Sequence, residues 1–379
     1  MEYRTPGQLI DSLIEDRGWS KRSLAIILEI GESSLSKIIS GQNKVTARIA
    51  LALEEVFSVP AEKFLTLQHD YDLARARIEK RPDQGRANRA KIYGDLPVTK
   101  MIERGWIVAD GMQDTKNVES ELCRFFKVNR LEDADLLLPH AAKKTQTSVE
   151  ATPAQMAWLY RVKTIAEGML TGKYSQQAVE QAIKKIEPLR GHPENMRQVP
   201  RILAEAGIRF VIVQGLEGGK IDGVCFWLNE KSPVIGMTLR FDRIDNFLFV
   251  LRHELEHVRN RDGLSGHAML DIDIGNGATV QLETTVAQQE AIANAAAADF
   301  CVPTKMMDAF ISRKAPFFSD RDLLGFAKVL KVHPGLVAGQ LQRHTGHYHK
   351  FRKHLAPVRE FITPSADTDG WGDIYPTDD

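Results

Sequence analysis

His253-Glu254-Leu255-Glu256-His257 is the segment whose residue types and spacing can do chemistry. Two histidines four apart on a helix lie one above the other on one face. Both imidazoles can then bind one zinc. The glutamate after the first histidine stands beside the metal, where it can take a proton from water. The chemistry expected is zinc-dependent hydrolysis, with His253 and His257 as ligands and Glu254 as general base.

Such a motif works only on a helix. Phe247, Leu248, Leu251, Leu255 and Val258 recur at helical spacing around it. Arg259 to Asp262 polarise the far end, and Gly263 is placed to cap it. A catalytic zinc usually takes a third protein ligand and leaves one position for water. Glu290 is one candidate, because it opens an alanine-rich run, Ala291 to Ala298, whose small side chains let a second helix approach closely. Asn294, one turn on, shares that face and can orient a ligand from behind. Glu283, two turns earlier, is the alternative. Asp271 and Asp273 are weaker candidates in a glycine-bearing loop.

The elements that must position these residues are legible as patterns. Strands are expected at 209–213, 223–228 and 233–237, with Asn229 to Ser232 as a turn. Cys225 on the second strand reads as a core cysteine, and a thiolate capping the zinc is the alternative. Phe226 and Trp227 read as core and cleft wall. Resemblance of the His253–His257 motif to HExxH zincins implies that the strand 223–228 is the edge to which a substrate strand adds. Long helices are expected over 153–171 and 175–188. A small sheet followed by helices predicts an α+β domain.

Residues 7–66 read differently, as short helices with tight turns. Ser20 is placed to cap the helix that starts at Lys21, Glu29-Ile30-Gly31 turns the chain, and Ser33 to Ile39 forms the next helix. Short helix, glycine-containing turn, short helix is the helix-turn-helix signature. In that reading Glu32, Ser33, Ser34, Ser36 and Lys37 lie nearest the bases. Ser20, Lys21, Arg22, Gln42, Asn43, Lys44 and Arg48 would meet phosphates. Yet residues 1–65 hold eight basic and nine acidic side chains, net −1. Phosphate neutralisation supplies most non-specific affinity, so dimerisation or the basic segment 73–91, net +5, is expected to compensate.

Composition bounds the rest. The 379 residues carry 50 basic and 50 acidic side chains, so no global field points to a polyanion. Three dispersed cysteines suggest neither a disulfide framework nor a zinc ribbon. No apolar signal segment or membrane-length run is evident, and a cytoplasmic location is expected. His344, His347, His349 and His354 among cationic neighbours read as a solvated basic helix.

The stretch Arg240 to Phe247, running into His253–His257, resembles the ImmA/IrrE metallopeptidase family. So does Glu290-x-x-Ala293-Asn294-x-x-Ala297, closed by Cys301-Val302-Pro303. The resemblance implies that Glu290 is the third zinc ligand. Ala296 stands where the family has Phe, and Glu256 where it has Gly, which puts a charge near the cleft. Residues 20–68 resemble a Cro/C1-type (Xre) helix-turn-helix. Phe64 to Gln68 with Tyr71 to Ala74 resemble the end of HigA-type antitoxin domains. His333 to Leu341 and Asp369-Gly370-Trp371-Gly372 resemble larger members that fuse both units.

These resemblances imply a DNA-binding regulator that carries a zinc peptidase domain. The expected partners are operator DNA, a repressor or antitoxin as protein substrate, and a second copy of the chain. The alternative is a HigA-type antitoxin, facing a cognate toxin, whose zinc domain senses or scaffolds. The implied fold is mostly helical α+β. The implied plan is a helix-turn-helix domain at 1–72, a basic helical connector at 73–150, a zincin-like domain at 151–310, and a C-terminal helical segment with an acidic tail at 311–379.

Overall fold

The computed structural model of the protein describes residues 3–79, 93–94, 96–131, 152–264, 269–272 and 284–376. The chain divides into two compact units, Met1–Arg89 and Ala90–Asp379.

The first unit is helical: α1 (Pro6–Asp16), α2 (Lys21–Ile27), α3 (Glu32–Ile39), α4 (Ala47–Phe57) and α5 (Ala61–Glu79). The Ser20 hydroxyl accepts from the Ser23 N–H and caps α2, and Thr46 does the same for α4 from Ile49. Apolar positions at helical spacing converge, so that Ile10, Leu24, Leu35, Leu53 and Phe64 are fully buried in one core. The turn between α2 and α3 departs from expectation. Its left-handed residue is Glu29, at φ 52°, whereas Gly31 is extended and caps α3. Gly7 is needed for packing, because a Cβ there would fall 2.0 Å from the Ile39 carbonyl oxygen. Helix α5 runs through residue 72, so this unit does not end where the pattern suggested. Of the basic segment, residues 80–91 lie outside the described residues.

The second unit is built on a mixed sheet in the order β4-β2-β3-β1-β5. Its strands are β1 (Arg209–Val213), β2 (Ile221–Trp227), β3 (Pro233–Met237), β4 (Met269–Ile272) and β5 (Asp367–Asp369). Strand β1 pairs parallel with β3 and β5, while β2 is antiparallel to β3 and β4. Alternation sends Phe210, Ile212, Cys225 and Ile235 to one face and Val211, Val213, Val224 and Val234 to the other. The first face packs on the helix Ile244–Asn260, which carries the His253–His257 motif. The second is covered by the helix Pro153–Gly168, opened by a Thr152/Gln155 capping box.

Three expectations change here. Strand β2 is flanked on both sides, so 223–228 is not an edge; among the described residues β4 stands at that end of the sheet. The described part of 95–150 is not a separate connector. Met101, Trp106, Val118, Leu122 and Phe126 join Trp158 and Tyr160 in one core. Nor does 311–379 stand apart, because β5 completes the sheet beside β1. Asp369 is buried and accepts from Arg161 Nε at 2.9 Å and from Trp106 Nε1 at 2.8 Å. No described helix is long and apolar enough to cross a membrane.

Candidate metal centre and helix-turn-helix surface

The motif helix is fixed at both ends. Asp242, in a left-handed conformation at φ 46°, accepts from the Val358 and Arg359 N–H groups at 2.9 and 2.8 Å. Arg243 grips Asp245 at 3.0 and 2.6 Å and reaches Gln342 at 3.1 Å. Gly339 leaves room for the Asp245 carboxylate, since a Cβ there would lie 2.1 Å from Oδ2. The polar residues ahead of His253–His257 therefore tie the motif helix to the C-terminal segment. At the other end the cap is Arg261, left-handed at φ 58°, and not Gly263.

The helix Thr284–Cys301 packs along the motif helix, with Ala293 and Ala297 fully buried. Close approach through alanine brings Glu290 to the histidines. Its Oε2 lies 3.3 Å from His253 Nε2 and its Oε1 3.5 Å from His257 Nε2. The two Nε2 atoms are 2.9 Å apart, and both imidazoles are fully buried. One ligand atom from each of His253, His257 and Glu290 falls within 4.8 Å of the others. Two imidazole nitrogens and one carboxylate form a donor set suited to catalytic zinc. Glu283 and Asp273 lie outside the described residues, and Asp271 belongs to β4.

Asp262 was not singled out by its sequence. Its Oδ2 lies 2.9 Å from His257 Nδ1, which leaves Nε2 directed at Glu290. Its Oδ1 accepts from Gln289 Nε2 at 2.8 Å, and its backbone carbonyl accepts from Trp227 Nε1 at 2.8 Å. One residue thus ties together the motif helix, β2 and the residue just before Glu290. The only sequence signal was an aspartate one turn past the second histidine. Asn294, expected to orient Glu290, makes no hydrogen bond to it among the described residues. It lines a cavity of about 480 Å³ beside Phe249, Met307 and Leu336.

Glu254 is fully buried against β2. A Cβ at Gly223 would fall 2.3 Å from Glu254 Oε1 and 2.7 Å from Val250 Cγ1. Glycine at 223 is what lets the carboxylate fit under the sheet. Glu256 is also buried, between Arg252 at 2.7 Å and Arg259 at 3.2 Å, so its charge is compensated by two guanidinium groups. Cys225 lies in the core beneath the sheet. Nearby, burial pushes the Tyr174 phenol up, and its ring meets Trp227 edge-on at 5.1 Å. Burial pushes the Cys301 thiol, at the end of the Glu290 helix, up to about 12.

In the first unit, Glu32, Ser33, Ser34, Ser36 and Lys37 are all exposed along α3. Lys21, Arg22, Lys44 and Arg48 are exposed around it. Two of these cations already face carboxylates, Lys21 on Asp11 at 3.0 Å and Lys44 on Asp72 at 2.8 Å.

The fold thus defines a short-helix recognition module in one unit and a buried His/His/Glu cluster in the other. The family model described as helix-turn-helix matches residues 10–64, and the chain belongs to the helix-turn-helix family through this domain. It is similar to the uncharacterized helix-turn-helix-type transcriptional regulator YddM of Escherichia coli, at 31% identity over 84 residues, 22% of this chain and 87% of that one. Virulence-associated protein I of Dichelobacter nodosus is 32% identical over 76 residues, 20% of this chain and 70% of that one. A helix-turn-helix-type transcriptional regulatory protein of Pyrococcus horikoshii is 37% identical over 76 residues. That match covers 20% of this chain and only 22% of the relative's length. Among solved structures, an addiction module antidote protein of a HigA family from Coxiella burnetii matches at 30% identity. It covers 21% of this chain and 87% of that one, with a TM-score of 0.19.

Proposed function

We propose that the protein is a DNA-binding transcriptional regulator whose second unit is a zinc metallopeptidase of the ImmA/IrrE kind, acting on a repressor or antitoxin protein. The observation that carries the peptidase reading is the convergence of His253, His257 and Glu290 on one point, with Glu254 seated in the same helical turn. Family membership of residues 10–64 and the exposed face of α3 support DNA binding.

His253, His257 and Glu290 would hold the ion. Zinc bound there supplies Lewis acidity, polarising a peptide carbonyl and making a water easier to deprotonate. Glu254 would take a proton from the water as its oxygen attacks the peptide carbonyl carbon, and would pass that proton to the amine nitrogen as the C–N bond breaks. Asp262 holds the His257 ring by Nδ1, which leaves Nε2 beside Glu290 and available as a ligand. The buried setting of both histidines and of Glu254 keeps bulk water from competing for these groups.

A regulator that merely senses zinc needs ligands but no general base. The fitted pair Gly223 and Glu254 therefore favours hydrolysis over the HigA-type sensor reading. The test compares wild type with Glu254→Gln for zinc content and for cleavage of repressor proteins encoded beside the gene. Both should bind about one zinc, and only the wild type should cleave. A wild type without zinc would overturn the peptidase reading. Zinc in both with cleavage in neither would favour the sensor.

A further inference from the structure

The helix-turn-helix domain is poorly charged for its proposed partner. Its first 65 residues sum to −1, and two of its candidate phosphate contacts, Lys21 and Lys44, sit on carboxylates. Most sequence-independent affinity for DNA comes from phosphate neutralisation. The second unit is not basic as a whole, with 36 basic against 37 acidic residues, but one stretch of it is. Between Asp322 and Glu360 there is no acidic residue, while Lys328, Lys331, Arg343, Lys350, Arg352, Lys353 and Arg359 all occur. With 50 acidic residues in 379, a stretch of that length would ordinarily carry about five.

The structure gathers part of this charge on one exposed excursion. The helix Pro334–Thr345 stops at Gly346, left-handed at φ 71°, so the histidine-rich segment is not the continuous basic helix expected from its sequence. The chain then turns back, with the Gln342 side chain donating to the Lys350 carbonyl and Phe351, at φ 61°, packed against the core. That excursion leaves Arg343, Tyr348, Lys350 and Arg352 exposed. Among the described residues Asp320 pairs with Lys353 at 2.9 Å and His354 at 2.6 Å, and Asp245 and Asp308 line a cavity together with Arg343 and Tyr348, so Lys350 and Arg352 are the cations that best report on the surface.

We infer that the surface at residues 343–353 of the second unit is a second phosphate-contacting surface for double-stranded DNA, independent of base sequence. The inference rests on the DNA-binding reading of the first unit. Lysine and arginine with an interleaved exposed tyrosine is the composition that meets a nucleic-acid backbone, and it confers affinity without reading bases.

The full-length protein with Lys350→Gln and Arg352→Gln tests this. Affinity for a 30-base-pair duplex of arbitrary sequence would be measured from 50 to 200 mM salt. Losing two phosphate contacts should lower the slope of log affinity against log salt by about 2. The wild type should then lose about tenfold more affinity over that range than the variant. Lys116→Gln with Lys163→Gln, which removes two exposed lysines outside the basic stretch, should leave the slope within experimental error. Equal slopes for the 350/352 variant and wild type, with DNA bound by both, would overturn the surface but keep the helix-turn-helix reading. Absence of DNA binding by the wild type would overturn both. Both altered residues are exposed, and an unchanged melting temperature would show that the fold is intact.

Discussion

Asp262 Oδ2 lies 2.9 Å from His257 Nδ1, while Asp262 Oδ1 receives the Gln289 side chain at 2.8 Å. A carboxylate behind a ligating imidazole fixes its tautomer and ring direction, and its loss typically costs 10–100-fold in metal affinity. Asp262→Ala is therefore expected to weaken zinc binding by about 10- to 100-fold in a chelator competition. Asp262→Asn, whose oxygen can accept from Gln289 only by turning its NH2 toward His257 Nδ1, should favour the wrong imidazole tautomer and lose at least as much. Equal zinc affinity in Asp262→Ala and wild type would remove this residue from the centre.

Gly223 predicts a different loss. A methyl group there would have to displace the Glu254 carboxylate or Val250. Gly223→Ala should cost about 1–3 kcal/mol of stability by overpacking. It should also abolish cleavage while His253, His257 and Glu290 still bind zinc. A variant with wild-type melting temperature and activity would show that the close approach is unimportant.

Arg161 and Asp369 form a buried ion pair at 2.5 Å, with side chains 3% and 1% exposed, and it locks β5 to the core. Removing one partner of such a pair strands the other charge and typically costs about 3–5 kcal/mol. Asp369→Ala should lower stability by that order in a denaturant titration, and truncation before Asp367 should do at least as much damage. A loss under about 1 kcal/mol would indicate that the strand docks without the pair.

His333 gives a pH signature. Its Nδ1 accepts from the Gly335 N–H at 3.0 Å, which requires the neutral ring, and burial holds the imidazole below its ordinary 6.5. As pH falls, the unfolded chain binds the proton first. The contribution to stability is therefore full above pH 6.5 and declines below it. Between pH 8 and 5.5 the melting temperature of His333→Asn, which keeps a capping side chain, should fall less than that of the wild type. Parallel curves would refute the assignment.

By itself the sequence determined the local elements. Periodicity placed β1 and β3 and the cores of the helices at 153–168 and 176–186, because apolar repeats and caps depend on neighbours in the chain. It also singled out His253, Glu254 and His257, whose spacing within one helix is a local fact. Glu290 was one candidate among several until the resemblance to a known family singled it out.

What only the tertiary structure decided involves residues distant in sequence. The packing of Ala293 and Ala297 against the motif helix brings Glu290 within 3.3 Å of His253. Strand β5 carries polar residues that read as a tail, and its role comes from Arg161 more than two hundred residues earlier. The edge position expected for β2 came from resemblance to zincins, and its pairing with β4 leaves no periodic trace in β2 itself. The neutralisation of Glu256 and the grip of Asp262 on His257 likewise depend on where side chains point once the helix is packed. Chemistry carried by one turn of helix is written in the sequence, whereas the contacts that complete the site exist only after distant segments are brought together.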